Sequence, residues 1–156
     1  MGNLELRKNT NPLWAELHLE NIQLFEDAYG VKFTKEEIDD QRMKIGNGTS
    51  DRRVVEEGEC YEVYDDSIYV GDITVDLSDE NPEIDIIIFA QHGGKGYAQK
   101  AIQRFIEFEG RGFEKIECTV RYKNPNLLKV ENIIKELGFQ YIDSSKEVKI
   151  YRYDRG

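Results

Sequence analysis

The chain has 156 residues, of which 39% are hydrophobic and 33% charged, and its formal net charge is −10. That length suits one domain with a single core, spanning residues 1–156. The acidic balance argues against a basic nucleic-acid-binding face. No apolar run approaches a membrane span or a signal region, so the cytoplasm is the expected location. The two cysteines, Cys60 and Cys118, have no CxxC spacing and read as reduced apolar residues, not a disulfide framework. The two histidines, His18 and His92, lack ligand spacing, so no metal is expected.

Residues 4–8 alternate weakly and read as a first strand. Asn11 then caps a helix with Pro12 at its first position, and Trp14, Leu17, Ile22, Phe25 and Ala28 fall near one face before Gly30 ends it. Thr34-Lys35-Glu36-Glu37 is a capping box opening a second helix that Gly46 stops. Residues 46–58 read as a loop. Residues 59–64 and 68–77 form a hairpin around Asp65-Asp66-Ser67. Residues 84–90 are apolar on both faces apart from Asp85, which predicts a central, buried strand. Residues 97–109 carry Ala98, Ala101, Ile102 and Phe105 at helical spacing. Residues 115–122 are a strand. Leu127, Val130, Ile134 and Leu137 trace a helix that ends at Gly138, and 139–142 with 148–153 make a closing hairpin.

Between the central strand and the helix that follows lies Gln91-His92-Gly93-Gly94-Lys95-Gly96. A glycine turn there leaves backbone N–H groups pointing out of a helix N-terminus, where the macrodipole is positive, a site for a phosphate or pyrophosphate. Spacing separates the possibilities. A P-loop needs Ser or Thr after Gly-Lys, and here Gly96 follows. A dinucleotide fingerprint needs Gly or Ala at Gln99. What remains is Q-x-x-G-x-G.

That loop resembles the pyrophosphate loop of the GNAT superfamily of acyl-CoA N-acyltransferases. Further along, Val120-Arg121-Tyr122-Lys123-Asn124 looks like the end of the family's next strand with its asparagine, and Lys135-Glu136-Leu137-Gly138-Phe139 resembles the closing E-K-L-G-F signature. Tyr69-Val70-Gly71-Asp72-Ile73 is similar to the family's I-G-x-I strand. These marks run in the family's order over roughly residues 60 to 153. The resemblance implies an α/β fold of α+β type, with a mixed, mostly antiparallel sheet of about seven strands flanked by about four helices. It implies that the strand before the loop and the strand after the next helix splay apart. An acyl-CoA pantetheine would insert between them like a false strand.

The activity implied is N-acetyl transfer from acetyl-CoA to a primary amine by direct attack, with coenzyme A as cosubstrate and no metal. The pantetheine would meet the backbone of Ile87, Ile88 and Phe89. The pyrophosphate would meet Gln91, His92, Gly93, Gly94, Lys95, Gly96, Tyr97 and Ala98, with Asn124 across the cleft. An oxyanion donor is expected at the N–H near Ile88. A lysine-type ammonium must lose a proton before attack. Glu83 and Asp85 share a strand face by i, i+2 alternation, and Glu83 falls where several family members carry a general base. Family members often place a thiolate acid four residues before the glycine of L-G-F, but that position is Ile134 here. Either Tyr122 or Tyr97 substitutes, or the thiolate leaves unaided. The alternative is a non-catalytic acyl-CoA-binding or regulatory module of the same fold, and a nucleotide-binding domain is a third reading. The implied partner is a small-molecule or peptide amine, cationic if the acidic surface steers it. No nucleic acid or membrane partner is expected, and edge strands could pair in a homodimer.

Overall fold

A computed structural model describes residues 3–9, 11–53 and 56–156. The loop reading of 46–58 therefore falls, at positions 54 and 55, outside the described residues. The elements run β1 (Leu4–Lys8), α1 (Glu16–Glu20), α2 (Ile22–Tyr29), α3 (Lys35–Gly46), β2 (Gly58–Asp65), β3 (Ile68–Asp76) and β4 (Glu83–Ile88). There follow α4 (Tyr97–Arg104), whose last turn widens to a π turn at Phe105–Glu109, then β5 (Lys115–Arg121), α5 (Leu127–Glu136), β6 (Gln140–Ser144) and β7 (Val148–Asp154). One seven-stranded sheet has the order β1-β2-β3-β4-β5-β7-β6. Every described pairing is antiparallel except β4 with β5. The mixed, mostly antiparallel sheet expected from the sequence is thus the sheet observed.

Period-two alternation gives the sheet two apolar faces. Ile73, Val75, Ile84 and Ile116 meet Ala101, Ile102 and Phe105 of α4 and Ile134 of α5, all buried in the larger core. On the opposite face Ile87 and Phe89 meet Phe25 of α2. Asp85 stands on that second face, by parity with Ile87.

Two corrections concern the first helical stretch. Pro12 does not open a helix, because the chain there is extended. The Trp14 N–H donates to Asp51 O at 3.2 Å and the Arg53 N–H to Pro12 O at 2.7 Å. The helix begins at Glu16 and breaks at Asn21, whose φ of −114° and ψ of 22° leave the helical well. One expected helix is therefore two, and the described residues hold five helices instead of about four.

The β2–β3 register shifts between Val63 and Tyr64, which pair with Gly71 and Tyr69, so Val70 is the extra residue of a bulge. The bulge reverses parity. Tyr69 and Asp72, which strict alternation would separate, come to one face. Gly71 is required by close approach, since a Cβ there would meet the Ile87 carbonyl oxygen at 2.1 Å. The hairpin turn is made by Asp66 and Ser67, both left-handed at φ 48° and 75°, the geometry that matches strand twist.

Candidate active site

The centre of the sheet is split. β4 and β5 share one register position, Glu83 with Glu117, fixed by the Glu117 N–H donating to Pro82 O at 2.8 Å. Beyond it the strands diverge. The Phe89 N–H donates to Val70 O at 2.9 Å on the β3 side, so alternation turns the Ile86 and Ile88 N–H groups into the gap. A cleft of about 260 Å³ fills the divergence. Leu24 and Ala28 of α2 line it from one face of the sheet, and Val130 and Ile133 of α5 from the other.

The glycine loop closes one end. Gly94 and Gly96 have φ of 74° and 77°, and a Cβ at either would meet no atom within 4 Å. The space beside them is therefore open, as an approaching anion requires. The His92 and Gly93 N–H groups are already given to the Phe89 and Ala90 carbonyls, at 2.8 and 3.1 Å. For the N–H groups of Gly94, Lys95, Gly96 and Tyr97 no main-chain acceptor is found among the described residues. They lead into the positive end of α4. The run of free donors thus starts at Gly94, and the His92 and Gly93 N–H groups expected to join it are spent within the loop.

Of the residues assigned to the donor, Ile87, Ile88, His92, Gly93, Gly94, Gly96, Tyr97, Ala98 and Asn124 line the cleft; Phe89, Gln91 and Lys95 do not. Phe89 is fully buried against α2 and its N–H is bonded to β3. Gln91 is turned away: its Oε1 accepts from Asn21 Nδ2 at 3.1 Å and its Nε2 donates to Glu20 Oε2 at 3.0 Å. Lys95 is exposed. Asn124 supplies cleft wall while its Oδ1 accepts the Asn126 N–H at 2.9 Å, shaping the turn into α5.

The two carboxylates separate in environment. Glu83 sits at the closed register position, beside Glu117. Asp85 lies two residues further along β4, on the face of Ile87 and outside the cleft wall, and has no side-chain hydrogen bond or ion pair among the described residues. Burial, then the charges of Glu83 and Asp76, push its carboxyl up to about 7. Across the sheet it faces Thr74, whose Oγ1 lies 3.3 Å from the Tyr29 hydroxyl. Burial and the Asp85 charge in turn raise the Tyr29 hydroxyl well above its usual range.

The tyrosines fall as follows. Ile134, where a hydroxyl was sought, is fully buried in the larger core. Tyr122 is 40% exposed, with the Lys149 ammonium 5.9 Å from its ring centre, and is not part of the cleft wall. Tyr97 is in the wall, but its hydroxyl donates to Asp65.

Sequence reasoning missed two features. Asn21, buried in the break between α1 and α2, accepts the Ala90 N–H at 2.7 Å on Oδ1 and donates from Nδ2 to Leu17 O at 2.7 Å and to Gln91. It ties the start of the glycine loop to the helices roofing the cleft. An asparagine inside a helical period was the available signal. The second is a buried network. His18 Nδ1 accepts the Ala15 N–H at 2.9 Å, which leaves the proton on Nε2, 3.2 Å from Asp72 Oδ2. Tyr69 donates to the other Asp72 oxygen, and Arg53 Nη1 lies 2.7 Å from Oδ2. Burial alone would raise the Asp72 carboxyl; the bonds from His18 and Tyr69 and the Arg53 charge outweigh it and hold it below the usual range. Only the bulge brings Tyr69 to this face, and the sequence pattern does not show a bulge.

A family model described as an acetyltransferase (GNAT) domain matches residues 4–140. Among functionally curated proteins, none matches the sequence. Among solved structures, the chain is similar to an acetyltransferase from Thermus thermophilus, at 16% identity over 97% of both chains with a TM-score of 0.62. It is similar to a spermidine N-acetyltransferase from Vibrio cholerae in complex with CoA and spermine, at 19% identity over 97% of this chain and 95% of that one, with a TM-score of 0.62. A dodecameric structure of the Vibrio cholerae enzyme is 19% identical over 97% of this chain and 94% of that one, with a TM-score of 0.59. At these identities the likeness is one of fold.

Proposed function

Because this chain belongs to the GNAT acetyltransferases, whose family model spans most of it, we propose that it transfers an acetyl group from acetyl-CoA to a primary amine by direct attack. The observation that carries this is the split between β4 and β5, with the Ile86 and Ile88 N–H groups turned into it and open glycines at its end. A pantetheine amide chain fits such a gap as a strand fits a sheet edge. Coenzyme A phosphates fit the Gly94–Tyr97 donors.

Asp85 is the better placed base. It lies two residues beyond the closed register position, and burial pushes its carboxyl up to about 7, in the range a general base needs, whereas Glu83 lies at the closed end. Asp85 takes a proton from the ammonium. The amine nitrogen then forms a bond to the thioester carbon, the developing oxyanion is held by a β4 N–H, and the carbon–sulfur bond breaks. The nitrogen's second proton passes to solvent. A thiol of pKa about 8.5 is a tolerable leaving group, and the sulfur departs without a tyrosine acid, consistent with Ile134 and with the Tyr97 hydroxyl engaged by Asp65. Residence in the cytoplasm remains part of the proposal. The neighbours that act on spermidine make polyamines the first amines to try.

The test is titration calorimetry with coenzyme A, together with thiol release from acetyl-CoA over an amine panel. Gly94→Val and Gly96→Val fill the open space beside the loop and force a branched residue to positive φ. Both should abolish coenzyme A binding while circular dichroism stays that of the wild type. Wild-type affinity in both variants reduces the loop to a turn and removes the main support for the reading.

A further inference from the structure

A second pocket, of about 370 Å³, opens on the other flank of α2 from the cleft. The rings of Trp14, Phe25, Tyr29 and Phe33 wall it, and its charged lining is Arg52 and Arg53. Trp14 meets Phe25 and Phe33 steeply inclined, with centroids 5.8 and 6.0 Å apart, so the rings form a box around the space. The floor is Tyr29 and Thr74. Thr74 pairs with Asp85, and the next residues, Ile86 and Ile87, line the cleft, while Asp85 itself lines neither pocket nor cleft.

The polar side of the pocket is incomplete. The Arg53 side chain is only 10% exposed. Its Nη1 serves Asp72 and its Nη2 lies 3.9 Å from Cys60 Sγ, but its buried Nε has no hydrogen-bond partner among the described residues. Asp72 is saturated by Arg53, His18 and Tyr69. Arg52, exposed, spends Nη1 on Asn11 O at 2.9 Å and keeps other donors at the mouth. No carboxylate lines the pocket among the described residues. A polycation finds no partner there, and an anionic oxygen finds two guanidinium groups.

We propose that this pocket takes the acceptor, and that the acceptor is an α-amino acid with a large apolar side chain. The rings hold the side chain, the guanidinium groups of Arg52 and Arg53 hold the carboxylate, and the amine points over Thr74 toward Asp85. Asp72, which anchors Arg53, and Thr74 are two residues apart on one strand face, about 7 Å at the usual rise. The carboxylate and amine of one amino acid, with a hydrogen bond at each end, bridge that distance. The proposal rests on the acetyl-transfer reading, and the reaction is the same: nitrogen–carbon bond formed, carbon–sulfur bond broken, one ammonium proton taken by Asp85 and the other by solvent.

The experiment compares kcat/KM by thiol release for L-phenylalanine, phenethylamine (the same molecule without its carboxylate) and spermidine. Phenylalanine should exceed both by at least ~10-fold, since one charge-assisted contact is worth that much. Arg53→Lys keeps the charge opposite Asp72 but deletes the fork, and should shrink the phenylalanine-to-phenethylamine ratio several-fold. Arg52→Gln, at the mouth and clear of Asp72, should shrink it less and covers the case where Arg53→Lys does not fold. Equal rates for phenylalanine and phenethylamine, or a preference for spermidine, overturn the proposal. If no amine is acetylated, the transfer reading fails. The pocket is then judged by thermal shift with N-acetyl-L-phenylalanine, where stabilisation lost in Arg53→Lys upholds it and no stabilisation of the wild type overturns it.

Discussion

Asp85 and Asp72 sit on one face of neighbouring strands with opposite titration. Asp72 has three donors and is held ionised; Asp85 has none among the described residues and is held toward its neutral form. With a folded pKa of about 7 against an ordinary value of 3.8, the folded state keeps the Asp85 proton that the unfolded state has lost. Stability relative to a non-titrating amide therefore falls as pH climbs through that window and is flat above it. Asp85→Asn should match the wild-type Tm near pH 3.5 and exceed it at pH 8. The same variant should lose roughly 10²–10⁴-fold in kcat/KM, with the acidic limb near neutrality gone, as expected for a positioned base. Glu83→Gln should change little. A pH–rate profile of both variants decides; loss of rate in Glu83→Gln alone would return the base to the position the sequence favoured. The pair Glu83 and Asp85 was legible from alternation. Which of them burial shifts was not, because that depends on how far β5 runs beside β4.

The elements themselves were mostly legible, since each carries its own periodicity. The central strand, the glycine loop, the capping box at Thr34 and the closing hairpin all lie where the pattern puts them. The failures were tertiary. Residues 12–14 pair with 51–53 instead of starting a helix, and no local signal announces a partner so distant in the chain. The break at Asn21 lies under an unbroken apolar stripe, with the asparagine itself as its one local sign. It has a use at this scale, because α1 and α2 are joined to the loop of β4 and α4 through one amide group. Asn21→Ala deletes three hydrogen bonds and leaves the Ala90 N–H without its acceptor, at a cost of about 1 kcal/mol. We expect KM for acetyl-CoA to rise about tenfold in thiol-release assays, with kcat changed much less. An equal fall in kcat at unchanged KM would show that the amide group serves chemistry or global folding, and not the loop.

At the scale of the whole molecule, a net charge of −10 says less than its distribution. The cleft wall carries Lys129 and His92 and no carboxylate among the described residues. Screening at physiological salt cuts interactions beyond about 8 Å, so the local field governs the entry of a polyanion. The Kd for coenzyme A should therefore rise a few-fold between about 50 and 500 mM sodium chloride despite the acidic surface, and Lys129→Gln should flatten that dependence. A Kd that falls with salt would mean that net charge dominates. A zwitterionic acceptor, feeling little of either field, should show a nearly salt-independent kcat/KM.

The single rung between Glu83 and Glu117 has a mechanical meaning. It makes the sheet two leaves, β1 to β4 and β5 to β7, sewn together at one stitch and otherwise pressed shut by helices on either side. On the proposed reading the donor is the missing thread. Its arrival completes the lacing, and its departure as free thiol undoes it, so the protein's own backbone is whole for only part of each cycle. The tightness of the seam then tracks the metabolite supply of the cell: scarce donor leaves the leaves loosely joined, and abundant donor binds them by the ordinary arithmetic of ligand linkage.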